Sequence, residues 1–269
     1  MKSEYNLRPM TEEDWDQLRE MEKEIFEEDP FTEDQFYHRI ERGNFFALEM
    51  EGKIIGELAL ERFGADGANL GRVGIAKSHQ GQGLGSYLME CTMDWLRSEK
   101  DITKVHLYTQ DYNKVAQSLY KKFGFEVSGT TWHYIVPFAS LQPVRKYTCQ
   151  EITEDEIETV AEAFPTLPAI VIKQYIESDL YHVLTLKDKE GQIVGACRFT
   201  PSFPGCFPFE ITNTDNFDDF IAWIEEHSLP EFDYVRTIFT DNEELAELCG
   251  NRSYPLHHRL YKMTLNLVG

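Results

Sequence analysis

Three glycines stand close together, directly ahead of a segment with helical apolar spacing. They are Gly81, Gly83 and Gly85, and the apolar positions after them include Leu84 and Leu88. The start of a helix carries backbone N–H groups without helical partners and the positive end of the helix dipole. Because glycines let the main chain approach a bulky anion, a pyrophosphate is the natural ligand of such a loop. The alternative is a tight loop whose glycines serve chain geometry alone.

Two common phosphate-binding motifs do not fit this loop. A P-loop needs the pattern G-x-x-x-x-G-K-S/T, and the chain contains no such run. The dinucleotide pattern G-x-G-x-x-G fails because its third glycine falls on Ser86 or on Leu88, depending on where counting starts. A nucleotide-binding protein of either class is therefore disfavoured.

The loop is one part of a longer pattern. The loop reads Q-x-x-G-x-G from Gln80 to Gly85 and follows the predicted strand RVGI. Further along the chain come N-x-x-A-x-x-L-Y, from Asn113 to Tyr120, and then FGF. This order resembles the GNAT superfamily of acyl-CoA-dependent N-acyltransferases, whose loop reads Q/R-x-x-G-x-G/A. The resemblance covers roughly residues 5–137. It implies direct transfer of an acetyl group from the co-substrate acetyl-CoA to a primary amine.

The resemblance also implies roles for matching residues. Tyr120 would protonate the departing CoA thiolate, and Asn113 would bind the cofactor, although packing and helix N-capping are their structural alternatives. The backbone at Gly74 and Ile75 would meet the pantetheine arm and polarise the acetyl carbonyl. The CoA pyrophosphate would be cradled by the N–H groups of Gln80, Gly81, Gln82, Gly83, Leu84, Gly85 and Ser86.

The pattern does not supply a base that would take the proton from the amine. Many family members carry a glutamate on the strand before the loop, but here that strand reads ANLGRVGIA and has no acid. Glu57 and Glu61 in IIGELALERF share one strand face, which either lines the acceptor groove or faces solvent. We take Glu57 as the catalytic candidate. His133 and Tyr134 are further groove candidates, and His133 equally fits a structural role.

The chain repeats itself. YNLRPMTEEDWDQL resembles YTCQEITEDEIETV, and GKIIG resembles GQIVG. Two further pairs keep the same order, MDWL with IAWI and VHLYTQDYNKVAQSL with VRTIFTDNEELAEL. We therefore predict tandem GNAT-like domains at residues 1–139 and 146–269. The second has TNTDNFDDF at the place of the glycine loop, so we expect it to be a degenerate copy that does not bind CoA in the same way.

The elements that would position the loop follow from the first copy. Apolar spacing predicts helices from Thr11 and after Pro30, then a hairpin around the turn Glu51-Gly52. A strand leads into the glycine loop, and a helix, a strand, another helix and closing strands follow. This order predicts an α/β domain of the α+β type, with a central mixed sheet flanked by helices.

Composition narrows the class of partner. The formal net charge of −21 repels nucleic acid and attracts cations, including amines, although it equally serves solubility. No apolar run is long enough to span a membrane. The five cysteines lack metal-site spacing, so we expect reduced thiols, a cytoplasmic location and no metal.

We therefore predict an N-acetyltransferase that acts on a small-molecule amine or a peptide amine. IFEEDPFTEDQF resembles the early helical segment of family members that acetylate protein N-termini. The alternative is a non-catalytic acyl-CoA-binding sensor or interaction protein with the same fold, which the missing strand glutamate favours.

Overall fold

The structure is a computed structural model that describes residues 5–27, 30–43, 45–99 and 101–267. These residues divide into two compact units. Unit 1 comprises Met1–Thr109, Asn113–Val127 and Met263–Gly269, and unit 2 comprises Gln110–Tyr112 and Ser128–Lys262. In the described part of the chain, no helix combines the length and apolarity needed to cross a bilayer.

The first part of the chain alternates antiparallel strands and helices, as predicted. Strands β1 to β4 are antiparallel neighbours in order, and β5 runs parallel to β4. The mixed sheet is therefore confirmed. The elements are β1 (Tyr5–Pro9), α1 (Trp15–Ile25), α2 (Glu33–Arg42), β2 (Phe45–Met50), β3 (Lys53–Phe63), β4 (Gly67–Ile75), α3 (Leu84–Ser98), β5 (Lys104–Gln110), α4 (Lys114–Lys122) and β6 (Glu126–Pro137).

Local sequence explains the hairpin and the first helix. Glu51 and Gly52 have φ of 53° and 77°, the left-handed pair that a two-residue hairpin turn requires. The apolar stripe of α1 packs into a core cluster that also holds Phe36 and Phe45. Thr11 precedes a short 3-10 turn, and its N–H donates to the Asp14 carboxylate at 2.8 Å. The predicted helix start is thus confirmed.

The second part of the chain repeats this order, which confirms the repeat as an α/β unit. In unit 2 the strand order is β7, β8, β9, β10, β11 and then β6, with β10 and β11 parallel. The elements are β7 (Thr148–Glu151), α5 (Ile157–Ala163), α6 (Ala169–Ile176), β8 (His182–Lys187), β9 (Ile193–Thr200), β10 (Gly205–Ile211), α7 (Phe217–His227), β11 (Tyr234–Thr240), α8 (Glu243–Asn251) and β12 (Leu256–Asn266).

Each unit contains a strand that belongs to the other repeat in sequence. FEVSGT and TTWHYIVPF form one strand, β6, which pairs with β11 in unit 2 rather than closing the first repeat. The end of β12 lies in unit 1 beside β5, where His106 Nδ1 and Thr264 Oγ1 are 2.9 Å apart and Leu267 N–H donates to Thr103 O at 2.8 Å. The bounds of the compact units therefore differ from those of the predicted domains at 1–139 and 146–269. The predicted bounds describe the two repeats in the sequence.

Candidate active site

The glycine loop leaves open space at the start of α3. Gly81 and Gly83 have φ of 75° and 85°, a region that residues with a side chain rarely adopt. A Cβ atom added to either would have no neighbour within 4 Å. Gly83 is the N-cap of α3, which begins at Leu84, and it brings no side-chain oxygen to cap the first-turn N–H groups. The loop thus offers both donors and room for an anion.

Side chains of the loop anchor it to its surroundings. Gln80 Nε2 donates to the backbone oxygen of Ile75 at 2.9 Å, which ties the loop to the end of β4. Gln82 Nε2 donates to Ser78 O at 3.4 Å. A Cβ atom at Gly85 would lie 3.3 Å from Leu119 Cδ2, so glycine there lets α3 and α4 approach closely. The structure therefore gives Gln80 and Gly85 positioning roles that their motif letters did not reveal.

Strand β4 bulges just before the loop. Glu57 pairs with Gly74 and Ala59 with Gly71, so β4 has one more residue than β3 between these pairs. Within the bulge, Arg72 has φ of 49°, the left-handed conformation. In the described part of β4, the parallel pairing with β5 involves Gly67–Asn69. Gly74 and Ile75 therefore lie beyond this pairing, where their backbone groups can meet an added extended chain.

Glu57 lies at the bulge and is completely buried. A Cβ atom added to Gly74 would lie 3.2 Å from Glu57 Oε1. Neither carboxylate oxygen of Glu57 has a hydrogen-bond partner among the described residues. Burial raises the pKa of Glu57 well above its usual range, the charge of Glu22 raises it further, and Arg72 opposes both. The predicted solvent-facing alternative is therefore wrong for Glu57.

Glu22 and Arg72 are site residues that sequence reasoning missed. Glu22 is 1% exposed, and its carboxylate accepts the N–H of Phe31. Arg72 Nη1 lies 3.5 Å from Glu22 Oε1, and its guanidinium lies over the rings of Phe26 and Phe31, at 4.5 and 4.1 Å from their centroids. A signal for Glu22 was available, because it stands four residues after Leu18, on the buried face of α1.

Glu61, the other candidate base, is in a different environment. It is half-buried and pairs with Arg39, whose Nη1 lies 3.2 Å from Glu61 Oε1. This ion pair already engages the Glu61 carboxylate. Glu57 is therefore the better placed of the two for accepting a proton.

Helix α4 carries the other two predicted side chains. Asn113 is its N-cap, and the side-chain oxygen accepts the N–H of Ala116 at 3.0 Å, which leaves the amide N–H groups as donors. Tyr120 is 8% exposed and packs edge-on against Phe125, with ring centroids 6.1 Å apart. Burial raises the pKa of Tyr120 to about 12, so its hydroxyl stays protonated at neutral pH.

In unit 2, the segment at the place of the loop binds its own chain. Asp219, in the first turn of α7, accepts the backbone N–H groups of Val144, Arg145 and Lys146 at 2.7–3.0 Å. Asp219 is 1% exposed. An acid in this position provides the negative charge that the start of a helix favours, and neighbouring acids repel a further anion. The segment is therefore organised around an internal carboxylate rather than a phosphate.

Comparisons with known proteins identify the family and the fold of the chain. Residues 7–125 match the family model described as Acetyltransferase (GNAT) family. A Bacillus subtilis (strain 168) protein, provisionally named as a ribosomal protein bS18 alanine N-acetyltransferase, is 31% identical over 137 residues, which cover 50% of this chain and 89% of that protein.

Two solved structures share the fold along the whole chain. A GCN5-related N-acetyltransferase from Sphaerobacter thermophilus has a TM-score of 0.76 at 12% identity, with 98% of this chain and 96% of that chain covered. A tandem GNAT protein from the clavulanic acid biosynthesis pathway has a TM-score of 0.72 at 12% identity, with 99% of each chain covered. The chain thus belongs to the GNAT family of acetyltransferases and is an acyl-CoA-dependent N-acetyltransferase.

Proposed function

We propose that unit 1 transfers an acetyl group from acetyl-CoA to the N-terminal α-amine of a peptide or protein. The observation that carries this proposal is the arrangement of three features on consecutive elements. The glycine loop opens α3, the backbone of Gly74 and Ile75 lies beyond the pairing of β4 with β5, and Glu57 lies against the bulge of β4.

The loop and the bulge fit acetyl-CoA, the donor that this family generally uses. The N–H groups of the loop and of the first turn of α3, from Gln80 to Ser86, bind the pyrophosphate, and the amide of Asn113 binds the pantetheine arm. Bound acetyl-CoA supplies a thioester whose carbonyl carbon is open to attack. The backbone N–H at the bulge donates to the carbonyl oxygen and stabilises the negative charge that develops there.

Glu57 takes the proton that the amine loses. A carboxylate with a raised pKa is a stronger base than an ordinary glutamate and is better matched to an amine near neutral pH. Glu57 has no exposed surface, so the proton reaches its carboxylate through a relay rather than by direct contact with the amine. Glu22 raises the pKa of Glu57, and Arg72 limits that rise, so these two residues tune the base without contacting the amine.

Tyr120 donates a hydrogen bond to the departing sulfur. Its pKa of about 12 lies above the ordinary thiol value of about 8.5. Complete proton transfer from Tyr120 to a thiolate of ordinary pKa would therefore be uphill. The pKa favours a role in which the neutral phenol stabilises the thiolate, rather than one in which it gives up its proton entirely.

The peptide N-terminus is proposed as the acceptor for two reasons. The Bacillus subtilis relative, 31% identical, is named for acetylation of a protein alanine. The net charge of −21 gives the protein a field that attracts a protonated amine. A polyamine shares that positive charge, so it is the competing acceptor class.

An acceptor comparison tests this function. The purified chain is incubated with acetyl-CoA and one of three acceptors: a peptide that begins with alanine, the same peptide with a blocked N-terminus and a free lysine, and spermidine. Mass spectrometry of the products is expected to show acetylation of the free N-terminus. Preferred acetylation of spermidine would replace the proposed acceptor, and no product with any amine would contradict the assignment of the site.

Calorimetric titration with acetyl-CoA tests where the donor binds. One site per chain is expected, and Gly83→Val should abolish binding because valine is strained at φ of 85° and its side chain would occupy the open space proposed for the anion. Gly191→Val is the matched control, since Gly191 in unit 2 has φ of 81° and equally open surroundings. Equal loss in both variants, or two sites per chain, would contradict the assignment to the loop of unit 1.

A further inference from the structure

Three imidazole rings meet in unit 2, in a cluster that contains none of the residues of the proposed acetyl-transfer site. His133 belongs to β6, and His257 and His258 are adjacent in β12. The ring centroid of His133 lies 4.7 Å from that of His257 and 5.7 Å from that of His258, and the last two centroids are 4.0 Å apart. One nitrogen from each ring lies within 4.8 Å of the others.

The buried ring has a nitrogen that its surroundings leave unsatisfied. His133 is 6% exposed, and its Nε2 has no hydrogen-bond partner among the described residues. In the neutral tautomer that carries its proton on Nδ1, a buried Nε2 of this kind needs either a donor or a cation. His257 and His258 are half-buried, so the cluster is reached from their side.

We propose that His133, His257 and His258 bind a divalent transition-metal ion, with Zn²⁺ as the first candidate. Neutral imidazole suits Zn²⁺, Cu²⁺ and Ni²⁺, whereas Mg²⁺ and Ca²⁺ prefer oxygen ligands that this cluster does not offer. Bonds of about 2.0–2.1 Å in a tetrahedral site separate the nitrogens by about 3.3 Å. Closing the cluster to that spacing requires the half-buried rings to rotate.

The surroundings of the three histidines limit the affinity for the metal ion and define its coordination. Arg236, on β11, lies near His133 on the neighbouring strand, and its positive charge opposes that of the ion. Three protein ligands leave the fourth position to water on the half-buried side. The ion would cross-link β6 and β12, which are joined nearby by the hydrogen bond from Ile135 N–H to Pro255 O.

Cobalt titration of the metal-depleted full chain tests the proposal. Co²⁺ is expected to bind in a 1:1 ratio with visible absorption bands, and Zn²⁺ should displace it. His133→Gln and His258→Gln should each weaken Co²⁺ binding by more than about 10-fold, the least that loss of an outer-shell partner costs a metal site. His182→Gln is the matched control, because His182 in the same unit is paired with Glu151.

Two outcomes would overturn the site. One is the absence of the absorption bands, and the other is equal Co²⁺ affinity in the wild type and in both variants, which would place the ion on surface carboxylates. If His133→Gln does not fold, His258→Gln decides, since His258 is half-buried. As a second readout, Zn²⁺ should raise the Tm of the wild type and of His182→Gln but not that of His258→Gln.

Discussion

Glu57 and Gly74 face each other across β3 and β4, and a Cβ atom added at position 74 would lie 3.2 Å from the Glu57 carboxylate. The pair therefore couples the proposed base to the backbone that would bind the acetyl carbonyl. A change at either residue is expected to affect the other, and the first two predictions separate their contributions.

Gly74→Ala is expected to lower turnover by roughly 10- to 100-fold, the scale of a misplacement of about 1 Å, and to destabilise the fold by about 1–3 kcal/mol. The added Cβ would lie 2.6 Å from Ile25 Cδ1 and 3.1 Å from Phe26 Cε2, so both side chains and Glu57 must shift. Gly71→Ala on the same strand is the control, because its nearest neighbour would be 3.9 Å away. Steady-state kinetics and urea unfolding measure the two effects. Equal losses in both variants would attribute them to the strand backbone.

Glu57→Gln is expected to change the pH dependence of stability. The folded state raises the pKa of Glu57, so the folded protein holds the proton more tightly than the unfolded chain does. The free energy of unfolding therefore falls as the pH rises through the folded pKa. Because glutamine does not titrate, the variant should gain stability relative to the wild type above the ordinary glutamate pKa of about 4.3, until the folded pKa is passed.

Urea unfolding at a series of pH values measures this difference, and a constant difference at every pH would contradict it. The same variant should lose about 100-fold or more in kcat, together with the acidic limb of its pH profile. Glu61→Gln is the control for activity and should retain kcat, because Glu61 is paired with Arg39 outside the proposed machinery. A Glu57→Gln variant that is more stable than the wild type and has normal kcat would show that Glu57 has a structural role only.

Tyr120→Phe is expected to reduce kcat while the affinity for acetyl-CoA stays unchanged. The hydroxyl acts on the departing sulfur alone, and the ring packing against Phe125 is retained. Since the pKa of Tyr120 is about 12, wild-type activity should show no alkaline loss from this residue below about pH 11. Tyr37→Phe is a suitable control, because the Tyr37 hydroxyl bonds to exposed Glu33. A parallel loss of affinity and kcat would mean that Tyr120 only packs.

Met263→Ala is expected to destabilise the protein by about 2–5 kcal/mol, since Met263 is fully buried in the segment of β12 that belongs to unit 1. Leu256→Ala in the same strand should change stability by at most about 0.5 kcal/mol, because Leu256 is 47% exposed. Thermal unfolding of both variants provides the comparison. A Met263→Ala variant as stable as the wild type would show that unit 1 does not depend on this strand.

Asp219→Ala is expected to cost about 2–4 kcal/mol, because three backbone N–H groups of residues 144–146 lose a charged acceptor. Asp215→Ala, at an exposed position of the same segment, serves as the control and should have little effect. Chemical denaturation is the measurement. If the two substitutions have the same effect, Asp219 does not organise the segment.

Much of unit 1 was predictable because its signals are local. The turn Glu51-Gly52 and the apolar stripe of α1 each determine an element from a few neighbouring residues. The glycine loop was equally readable, since positive φ at Gly81 and Gly83 requires glycine.

The chemistry around Glu57 was only partly predictable. Strand alternation identified a face that carries Glu57, but burial of that face depends on α1 packing over it and on the bulge at Arg72. Both are tertiary features. The sequence also did not predict that the repeats exchange strands. The apolar patterns of β6 and β12 are the same whichever central strand each of them pairs with.

The position of residues 263–267 beside β5 has a consequence for protein synthesis. Val127 leaves the ribosome long before Met263 does, and at ordinary elongation rates the delay is roughly 10–30 s. During that interval β5 has an unpaired edge, the kind of surface that recruits other strands. Unit 1 is thus encoded first but completed late, and the interval before Met263 is made is the one in which chaperone protection of β5 matters most.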